Sequence, residues 1–406
     1  ERSPKYVDHL NKTFYFLEDG RRFIVREETS TGYMHLYLYG IGQGVLHPIT
    51  QGEWEVTDFV GLRGDKVYYI STESSPLKRD LYRVGLDGKH KERLTPGDGY
   101  YSIYPSADLS YYICEGGDSS APGRTDVFNA AGKRVRTLYD NAPLKEALAE
   151  AGLPVREFFT FTTERGDELN GYMLKPLDFD PAKRYPVLLT QYSGPGSQQV
   201  AEGWGPDWED ALVTHGYIVV CVDPRGTGYR GEEFKKLTYG NLGRLEVEDQ
   251  ISTARYMARQ SYVDPARIGI YGWSYGGFMA LGCAFRGEGL FKMAIAVAPV
   301  TSWRYYDSIY TENFNGLPDD YPKGYDDNSP VNLAHLFRDD STRLLIVHGT
   351  ADDNVHFQNT MEMARALNKL GKQYDMMVYP DQNHSMMPDD MIHVREKMLR
   401  YTLENL

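Results

Sequence analysis

Cysteine is scarce in this chain, which carries only Cys114, Cys221 and Cys283 among 406 residues. Three scattered cysteines with no Cys-x-x-Cys pair exclude a disulfide framework and supply no metal or redox motif. Cys221 lies in Ile-Val-Val-Cys-Val and Cys283 in a run of small residues, which are typical surroundings for buried apolar positions. We therefore expect no metal and no other cofactor.

The chain also has fewer basic than acidic residues and no long apolar run. The 44 Lys and Arg are outnumbered by 57 Asp and Glu, and no basic block offsets the net charge of −13, so we expect no nucleic-acid partner. No apolar run is long enough to span a membrane, and the first residues do not form a signal-type segment. The chain opens on Glu-Arg-Ser-Pro, which is typical of mid-domain sequence, so we expect further sequence upstream.

Tyrosine is abundant, with 32 copies, and the first 140 residues contain a repeat rich in it. The segments His35-Leu-Tyr-Leu-Tyr39 and Pro48-Ile-Thr-Gln-Gly52 return 45 positions later as Asp80-Leu-Tyr-Arg-Val84 and Arg93-Leu-Thr-Pro-Gly97, and a fainter third copy includes Asp126-Val-Phe128. Short aromatic strands at this period predict β-propeller blades. Three blades do not close a ring, so we expect the remaining blades in an upstream propeller segment of the same protein.

A different pattern follows a helix-like junction at 141–154, because strands now alternate with helices. We predict strands at Glu157–Thr162, Gly171–Lys175, Val187–Tyr192, Tyr217–Val222, Ile268–Tyr271, Met293–Ala298, Leu344–His348 and Tyr374–Tyr379. We predict helices at Asp207–His215, Leu245–Arg259, Tyr275–Phe285, Asn359–Leu370 and Met391–Leu403. This alternation predicts a mostly parallel, doubly covered sheet over 141–406, preceded by a partial all-β propeller over 1–140.

The segment from Arg267 to Gly277 has the pattern of a nucleophile elbow. An apolar strand leads into Gly-Trp-Ser-Tyr-Gly, and a helix-compatible run follows. The turn is so tight that the positions two before and two after the serine require glycine, here Gly272 and Gly276. Ser274 is therefore the candidate nucleophile of an α/β-hydrolase. The alternative is an ordinary Ser/Gly turn, which can have the same sequence pattern.

A serine nucleophile needs a base and an acid, which follow it in the order Ser, Asp or Glu, His on loops after strands. His384 follows one predicted strand, and Asp352 and Asp353 follow another. Spacing alone does not separate these two neighbours. His348 is a rival base, although a histidine at a strand end more often bonds its own loop. We expect the triad Ser274, Asp352 and His384, and no cation site in the Asp-Asp-Asn run, which lacks further ligands.

An oxyanion hole requires two donors. The elbow supplies the backbone N–H of Tyr275, and the loop that begins Tyr192-Ser-Gly-Pro-Gly196 offers the Tyr192 hydroxyl. The alternative is that Tyr192 is only an aromatic residue at the end of a strand.

These motifs resemble the prolyl oligopeptidase family and, within it, the dipeptidyl peptidase IV branch. The matching stretches lie between residues 185 and 385, and they begin at Tyr192-Ser-Gly-Pro-Gly-Ser-Gln, Asp223-Pro-Arg-Gly-Thr-Gly, Glu246-Val-Glu-Asp-Gln, Gly272-Trp-Ser-Tyr-Gly, Ala296-Val-Ala-Pro-Val and His348-Gly-Thr-Ala-Asp. The resemblance implies that Asp352, rather than Asp353, is the acid and that the Tyr192 hydroxyl is the second oxyanion donor. The propeller half is similar in style only.

The resemblance also implies a small apolar pocket for proline. Its matching positions are Tyr275, Val300, Trp303, Tyr306, Tyr310 and Val355, and Asn354 beside them matches a position that holds the substrate carbonyl. Trp303, Tyr306 and Tyr310 are spaced three and four apart, so on a helix they would share one face. A rigid aromatic box suits a pyrrolidine ring, and the competing interpretation is an aromatic face packed into the core.

The function implied is a serine exopeptidase that releases N-terminal dipeptides with Pro, or Ala, in the penultimate position. Such enzymes hold the substrate ammonium with a pair of propeller glutamates, and neither Glu27-Glu28 nor Glu232-Glu233 stands in the matching context. The alternatives are a prolyl tripeptidyl peptidase, an endopeptidase, an acyl peptidase or esterase, and a non-catalytic propeller that acts as a binding module. The resemblance further implies a homodimer and a periplasmic or extracellular location.

Overall fold

The computed structural model of the chain describes residues 3–7, 13–28, 30–152 and 154–406. The chain forms two compact units. The first comprises 1–153 with the short segments 201–205 and 228–235, and the second comprises 154–200, 206–227 and 236–406. The predicted domain boundary between residues 140 and 141 stays a prediction.

The described part of the first unit contains three four-stranded antiparallel sheets, each formed by consecutive strands. The strands are β1 (Phe14–Phe16), β2 (Arg22–Glu27), β3 (His35–Gly40), β4 (Gly44–Pro48), β5 (Val56–Arg63), β6 (Lys66–Ser71), β7 (Asp80–Gly85), β8 (Glu92–Arg93), β9 (Tyr100–Pro105), β10 (Tyr111–Gly117), β11 (Arg124–Asn129) and β12 (Arg134–Tyr139). Consecutive four-stranded sheets of this kind are propeller blades, as the repeat predicts.

The sheets pack face to face because residues along each strand alternate in direction. In β6, Val67 and Tyr69 join a core with the first sheet, whereas Tyr68 joins a core with the third sheet. The repeat also has a polar counterpart. His35 Nδ1 lies 3.0 Å from Thr50 Oγ1, and 45 positions later Thr95 Oγ1 donates to Asp80 Oδ1 at 2.7 Å. Both pairs connect the first residue of a third strand to the second residue after the fourth strand.

The first sheet exposes a row of aromatic side chains on the face opposite this core. Phe14 and Phe16 are each 60 % exposed, and both rings lie against Phe23, with centroid separations of 6.3 and 5.3 Å. Phe23 in turn stacks on Tyr39 at 5.4 Å. The described part of this sheet therefore presents a continuous apolar face to solvent.

The second unit is built around an eight-stranded sheet in the order β13-β14-β16-β15-β17-β18-β19-β20. Its strands are β13 (Glu157–Thr162), β14 (Glu168–Leu174), β15 (Tyr185–Thr190), β16 (Ile218–Asp223), β17 (Val263–Trp273), β18 (Met293–Val297), β19 (Arg343–Gly349) and β20 (Asp375–Tyr379). Only the pairs made by β14, with β13 and β16, are antiparallel. The prediction of a mostly parallel sheet is confirmed.

Strands β15, β16 and β18 are buried at every residue, as expected where helices cover both faces of a parallel sheet. The helices are α1 (Ala142–Ala151), α2 (Asp210–Thr214), α3 (Glu232–Lys235), α4 (Leu245–Ala258), α5 (Tyr275–Arg286), α6 (Ser308–Asn315), α7 (Pro322–Asp326), α8 (Pro330–Leu333), α9 (Gln358–Lys369) and α10 (Pro388–Asn405). Helices α1 and α3 belong to the first unit. Across the described ranges, no helix is both long enough and apolar enough to cross a membrane.

The sequence patterns do not predict helices α3, α6, α7 and α8. These helices have four to eight residues, too few to show an apolar period. Proline in the first turn of α7 and of α8 was the available signal, because proline is favoured where a helix begins. One predicted strand is too short at both ends, because β17 runs from Val263 to Trp273 although only Ile268–Tyr271 was expected.

Candidate active site

Ser274 stands between strand β17 and helix α5, as the elbow pattern predicts. Its backbone has φ 62° and ψ −116°, in a region that residues other than glycine rarely occupy. Two backbone hydrogen bonds hold this strained conformation. Ser274 N donates to Val297 O at 2.8 Å, and Phe278 N donates to Ser274 O at 3.0 Å. The serine is thus held at the start of a helix by a rigid turn.

The two elbow glycines are required by contact distances. A Cβ on Gly272 would lie 2.2 Å from Gly276 O, and a Cβ on Gly276 would lie 2.5 Å from Gln191 O. Both oxygens belong to the backbone and cannot move aside. Any side chain at either position would therefore open the turn that carries Ser274.

The structure brings together His384 and Asp352. His384 Nδ1 lies 2.7 Å from Asp352 Oδ2. A carboxylate accepts hydrogen bonds, so the neutral ring carries its proton on Nδ1 and leaves the Nε2 lone pair for a substrate or nucleophile. Asp353, which spacing alone could not separate from Asp352, is exposed.

Asp352 is fixed by four hydrogen bonds. Its Oδ1 accepts from the backbone N–H groups of Asn354 at 3.0 Å and Val355 at 2.9 Å, and its Oδ2 accepts from His384 and His348. Burial opposes ionisation, but the hydrogen bonds from both histidines and from Asn354 outweigh it and hold the pKa of Asp352 well below its usual value. Asp352 is therefore a permanent negative charge beside the His384 ring.

His348, the rival base in the sequence, lies on the other side of Asp352. It is fully buried at the end of β19, with Nε2 2.8 Å from Val355 O and 3.1 Å from Asp352 Oδ2, and with Nδ1 2.8 Å from Thr360 Oγ1. Two acceptors at Nε2 require the proton there. His348 is thus saturated with partners, and it orients Asp352 rather than presenting a basic nitrogen to a substrate.

Tyr275 is the first residue of α5, so its backbone N–H has no partner within the helix and lies at the positive end of the helix dipole. The Tyr192 ring lies 6.0 Å from the Tyr275 ring, centroid to centroid. Burial raises the pKa of the Tyr192 hydroxyl, which therefore keeps its proton and remains a donor. The two expected oxyanion donors, a backbone N–H and a side-chain hydroxyl, thus belong to residues whose rings are neighbours.

Four aromatic side chains form a box beside the elbow. The Trp303 ring lies 5.3 Å from Tyr275, 6.0 Å from Tyr306 and 6.2 Å from Tyr310, and the last two rings meet edge to face at 5.4 Å. Val300 and Val355 of the predicted pocket are buried. Asn354 is exposed, and its Oδ1 accepts a hydrogen bond from Tyr306 Oη at 2.7 Å.

The expectation that Trp303, Tyr306 and Tyr310 share one helix face is wrong. Trp303 belongs to a short 3-10 turn, Trp303–Tyr305, whereas Tyr306 is extended and Tyr310 lies in α6. Asp307 causes the change of element, because its side chain accepts from Tyr310 N at 2.8 Å and so caps α6. The three rings converge through a turn and a helix start.

Sequence reasoning missed the role of Glu246. This carboxylate is fully buried on α4, accepts from Tyr275 Oη at 2.6 Å, and accepts from Gly243 N at 3.0 Å. Burial is the main effect on it and raises its pKa to about 7. The available signal was a polar stripe at helical spacing, since Glu246, Asp249, Gln250 and Thr253 are all buried on one helix.

In the part of the chain that the structure describes, no cluster of His, Cys, Asp or Glu could hold a metal ion. The site chemistry visible in these residues is that of a serine, a histidine, a carboxylate and hydrogen-bond donors. These are the group types that acyl transfer by a serine nucleophile requires.

Comparison with known proteins identifies the family of the chain. The prolyl oligopeptidase family matches residues 204–406, which is half of the chain, and the dipeptidyl peptidase IV N-terminal region matches residues 1–122. Probable dipeptidyl-aminopeptidase B from Aspergillus niger is 41% identical over 366 residues, and that from Pyrenophora teres f. teres is 40% identical over 367 residues. These alignments cover 87% and 88% of this chain but 40% of each relative, so the chain spans about two fifths of their length.

Solved structures give the same answer. The crystal structure of Porphyromonas gingivalis dipeptidyl peptidase 4 superposes with a TM-score of 0.95 at 40% identity, over 100% of this chain and 57% of that one. A putative dipeptidyl aminopeptidase IV from Bacteroides ovatus superposes with a TM-score of 0.91 at 28% identity, over 100% of this chain and 60% of that one. The chain therefore belongs to the prolyl oligopeptidase family, in its dipeptidyl peptidase IV branch.

Proposed function

We propose that the protein is a serine exopeptidase that releases N-terminal dipeptides whose second residue is Pro or, less readily, Ala. The observation that carries this proposal is the hydrogen bond of 2.7 Å between His384 Nδ1 and Asp352 Oδ2, in a hydrolase sheet whose elbow bears Ser274. Family membership supports the chemistry. The names of the relatives, dipeptidyl-aminopeptidase and dipeptidyl peptidase, support release of two residues.

In the proposed mechanism His384 Nε2 takes the proton of the Ser274 hydroxyl while the serine oxygen attacks the carbonyl carbon of the second residue. The tetrahedral oxyanion accepts hydrogen bonds from Tyr275 N–H and the Tyr192 hydroxyl. Collapse breaks the peptide bond, and His384 donates its proton to the leaving amine. Water then hydrolyses the acyl-enzyme by the same steps, and Asp352 remains ionised throughout.

The proposed preference for proline rests on the aromatic box. Proline has a compact apolar ring and, once its nitrogen is acylated, no N–H to satisfy, so flat apolar walls suit it. Trp303, Tyr306 and Tyr310 supply these walls, with Tyr275, Val300 and Val355 as further pocket residues. Asn354 is proposed to bind the substrate carbonyl, and its side chain is held by Tyr306.

Among the described residues, none is assigned as the group that binds the substrate ammonium. Glu27 and Glu28 are both buried, with Glu27 accepting from Ser30 Oγ at 2.6 Å and Glu28 accepting from Lys235 Nζ at 2.5 Å. Carboxylates that already bind other groups in this way do not suit an ammonium site, which argues against Glu27 and Glu28 as the pair that binds the substrate ammonium. We propose that the ammonium site lies in further propeller sequence.

The substrate test compares Gly-Pro-, Ala-Ala-Pro- and N-blocked Gly-Pro-p-nitroanilide with the full-length gene product. We expect rapid release from the first alone. Preference for the second would establish a tripeptidyl peptidase, and turnover of only the blocked substrate would refute the aminopeptidase proposal. Faster cleavage of simple aryl esters than of all three amides would favour an acyl peptidase or esterase. Failure of a fluorophosphonate to label Ser274 would favour the non-catalytic binding module.

Two partners are also proposed. The exposed row of Phe14, Phe16, Phe23 and Tyr39 supports packing of an upstream propeller segment against the first sheet, because a contiguous apolar face is costly in water. A homodimer is proposed from the resemblance to the dipeptidyl peptidase IV branch. Light scattering of the full-length protein at several concentrations measures its mass, and a monomer at all of them would refute the dimer.

A further inference from the structure

We infer that Gln191 is a positioning residue that fastens the nucleophile elbow to the loop carrying Tyr192. The inference rests on the proposed function, because it takes Ser274 as the nucleophile and Tyr192 as an oxyanion donor. Gln191 directly follows β15 and is only 2 % exposed. It is therefore a buried amide in the short link between strand and oxyanion loop.

One end of this amide bridges the two sides of the elbow. Gln191 Nε2 donates to Gly276 O at 2.8 Å and lies 3.3 Å from Tyr271 O. Tyr271 precedes the serine on the strand side and Gly276 follows it on the helix side. The amide fills the inside of the turn, since a Cβ on Gly272 would lie 2.5 Å from Gln191 Nε2.

The other end of the amide holds the residue after Tyr192. Gln191 Oε1 accepts from Ser193 Oγ at 2.8 Å. Ser193 has φ 70°, in the left-handed region that serine seldom adopts, so its conformation needs such support. Gln191 and Ser193 thus clamp the backbone on both sides of Tyr192.

The chemistry of the two ends requires an amide. Two carbonyl oxygens face one end and accept only from an N–H or O–H, whereas a hydroxyl donor faces the other end. A carboxylate would repel both carbonyls, and an apolar side chain would bond to neither end. Because the same side chain holds both Gly276 and Ser193, it fixes the separation between Tyr275 N–H and the Tyr192 hydroxyl. Misplacement of one of two oxyanion donors by a fraction of an ångström weakens transition-state binding.

The first test replaces Gln191 with Met, which has similar length and no hydrogen-bonding end. With Gly-Pro-p-nitroanilide and the full-length protein, we expect kcat to fall roughly ten- to a hundred-fold while KM changes by less than about threefold. The rate of fluorophosphonate labelling at Ser274 should fall with kcat, because the probe needs the oxyanion donors but no peptide subsite.

The matched control is Gln250→Met. Gln250 is also a buried glutamine, whose Nε2 donates to Val222 O at 2.9 Å and to Ser193 Oγ at 3.3 Å. It makes no hydrogen bond to the elbow residues that the structure describes, and its replacement leaves the shorter hydrogen bond of 2.8 Å from Ser193 Oγ to Gln191 Oε1 in place. We expect a similar loss in Tm with kcat within about threefold of the parent value. Equal losses of kcat in the two variants, or an unchanged kcat in Gln191→Met, would overturn the inference.

A pH profile of Gln191→Glu separates positioning from general damage. Burial raises the pKa of a carboxyl group, and the neutral acid has an O–H that can donate to Gly276 O. The ratio of variant to parent kcat should therefore rise as the pH is lowered from about 8 to about 6, and dividing by the parent value removes the pH effects common to both proteins. A ratio independent of pH counts against the inference. Labelling of the parent at Ser274 without release of dipeptides would refute the proposed substrate but leave the test of Gln191 intact.

Discussion

Asp352→Asn should inactivate the protein, because it reverses the direction of the hydrogen bond between residue 352 and His384 Nδ1. The two backbone N–H groups of Asn354 and Val355 point at Oδ1 of Asp352, from 3.0 and 2.9 Å. An amide nitrogen cannot accept them, so the asparagine keeps its oxygen there and turns its NH2 group toward His384 and His348. His384 Nδ1 must then accept a hydrogen bond, and the neutral ring carries its proton on Nε2. In that tautomer the ring has no lone pair for the Ser274 proton.

The size of the effect follows from this tautomer. A wrong tautomer in an otherwise intact triad lowers kcat by about 10⁴-fold, which corresponds to about 5 kcal/mol of activation free energy. KM should change little, since Asp352 lies behind His384 rather than in the aromatic box. The fold should survive, because His348 Nε2 retains Val355 O at 2.8 Å and Oδ1 retains both backbone donors.

The assay is the rate of p-nitroaniline release from Gly-Pro-p-nitroanilide at saturating substrate, with Tm measured on the same preparation. The neighbouring Asp353→Asn is the matched control, because it makes the same chemical change on an exposed residue and should leave kcat within about twofold. A fall of less than about tenfold in Asp352→Asn, or an equal fall in the control, would refute the assignment of the acid.

Three further predictions concern neighbouring groups. Tyr192→Phe should lower kcat roughly 10²- to 10³-fold, or about 2.7–4 kcal/mol, with the ring still in place, and full activity would remove its hydroxyl from the oxyanion hole. Tyr306→Phe removes the donor to Asn354 Oδ1 at 2.7 Å and should raise KM about fivefold, or about 1 kcal/mol, as measured by initial rates. Glu246 has its pKa raised from 4.5 to about 7, so its folding contribution is present below pH 4.5 and lost as the pH rises through 7. Urea titrations at about pH 5 and pH 8 should show a decline of about 3 kcal/mol that Glu246→Gln removes, and an equal decline in both proteins would contradict this.

Local constraints made much of this protein predictable from its sequence. The elbow follows from two glycines at fixed distances from Ser274, because the backbone oxygens around them leave no room for a Cβ. The propeller sheets follow from a 45-residue period, which places His35 and Asp80 at equivalent strand starts. The parallel sheet follows from apolar runs alternating with helical segments. Each of these signals depends on neighbours in the chain, so the order of residues contains it.

Tertiary structure alone decided which polar groups meet. The sequence offered Asp352 and Asp353 as equals, and the fold buries the first between two histidines while it leaves the second exposed. No local pattern marks Gln191 as a partner of Gly276, which lies 85 positions away. The polar stripe that contains Glu246 does not identify its partner Tyr275, which lies 29 positions away. A buried hydrogen bond is set by the three-dimensional meeting of one donor and one acceptor. Such a contact leaves no periodic pattern in the sequence. The sequence therefore predicts the residues proposed for the reaction, and the packing of the sheet and helices determines which other side chains hold them in position.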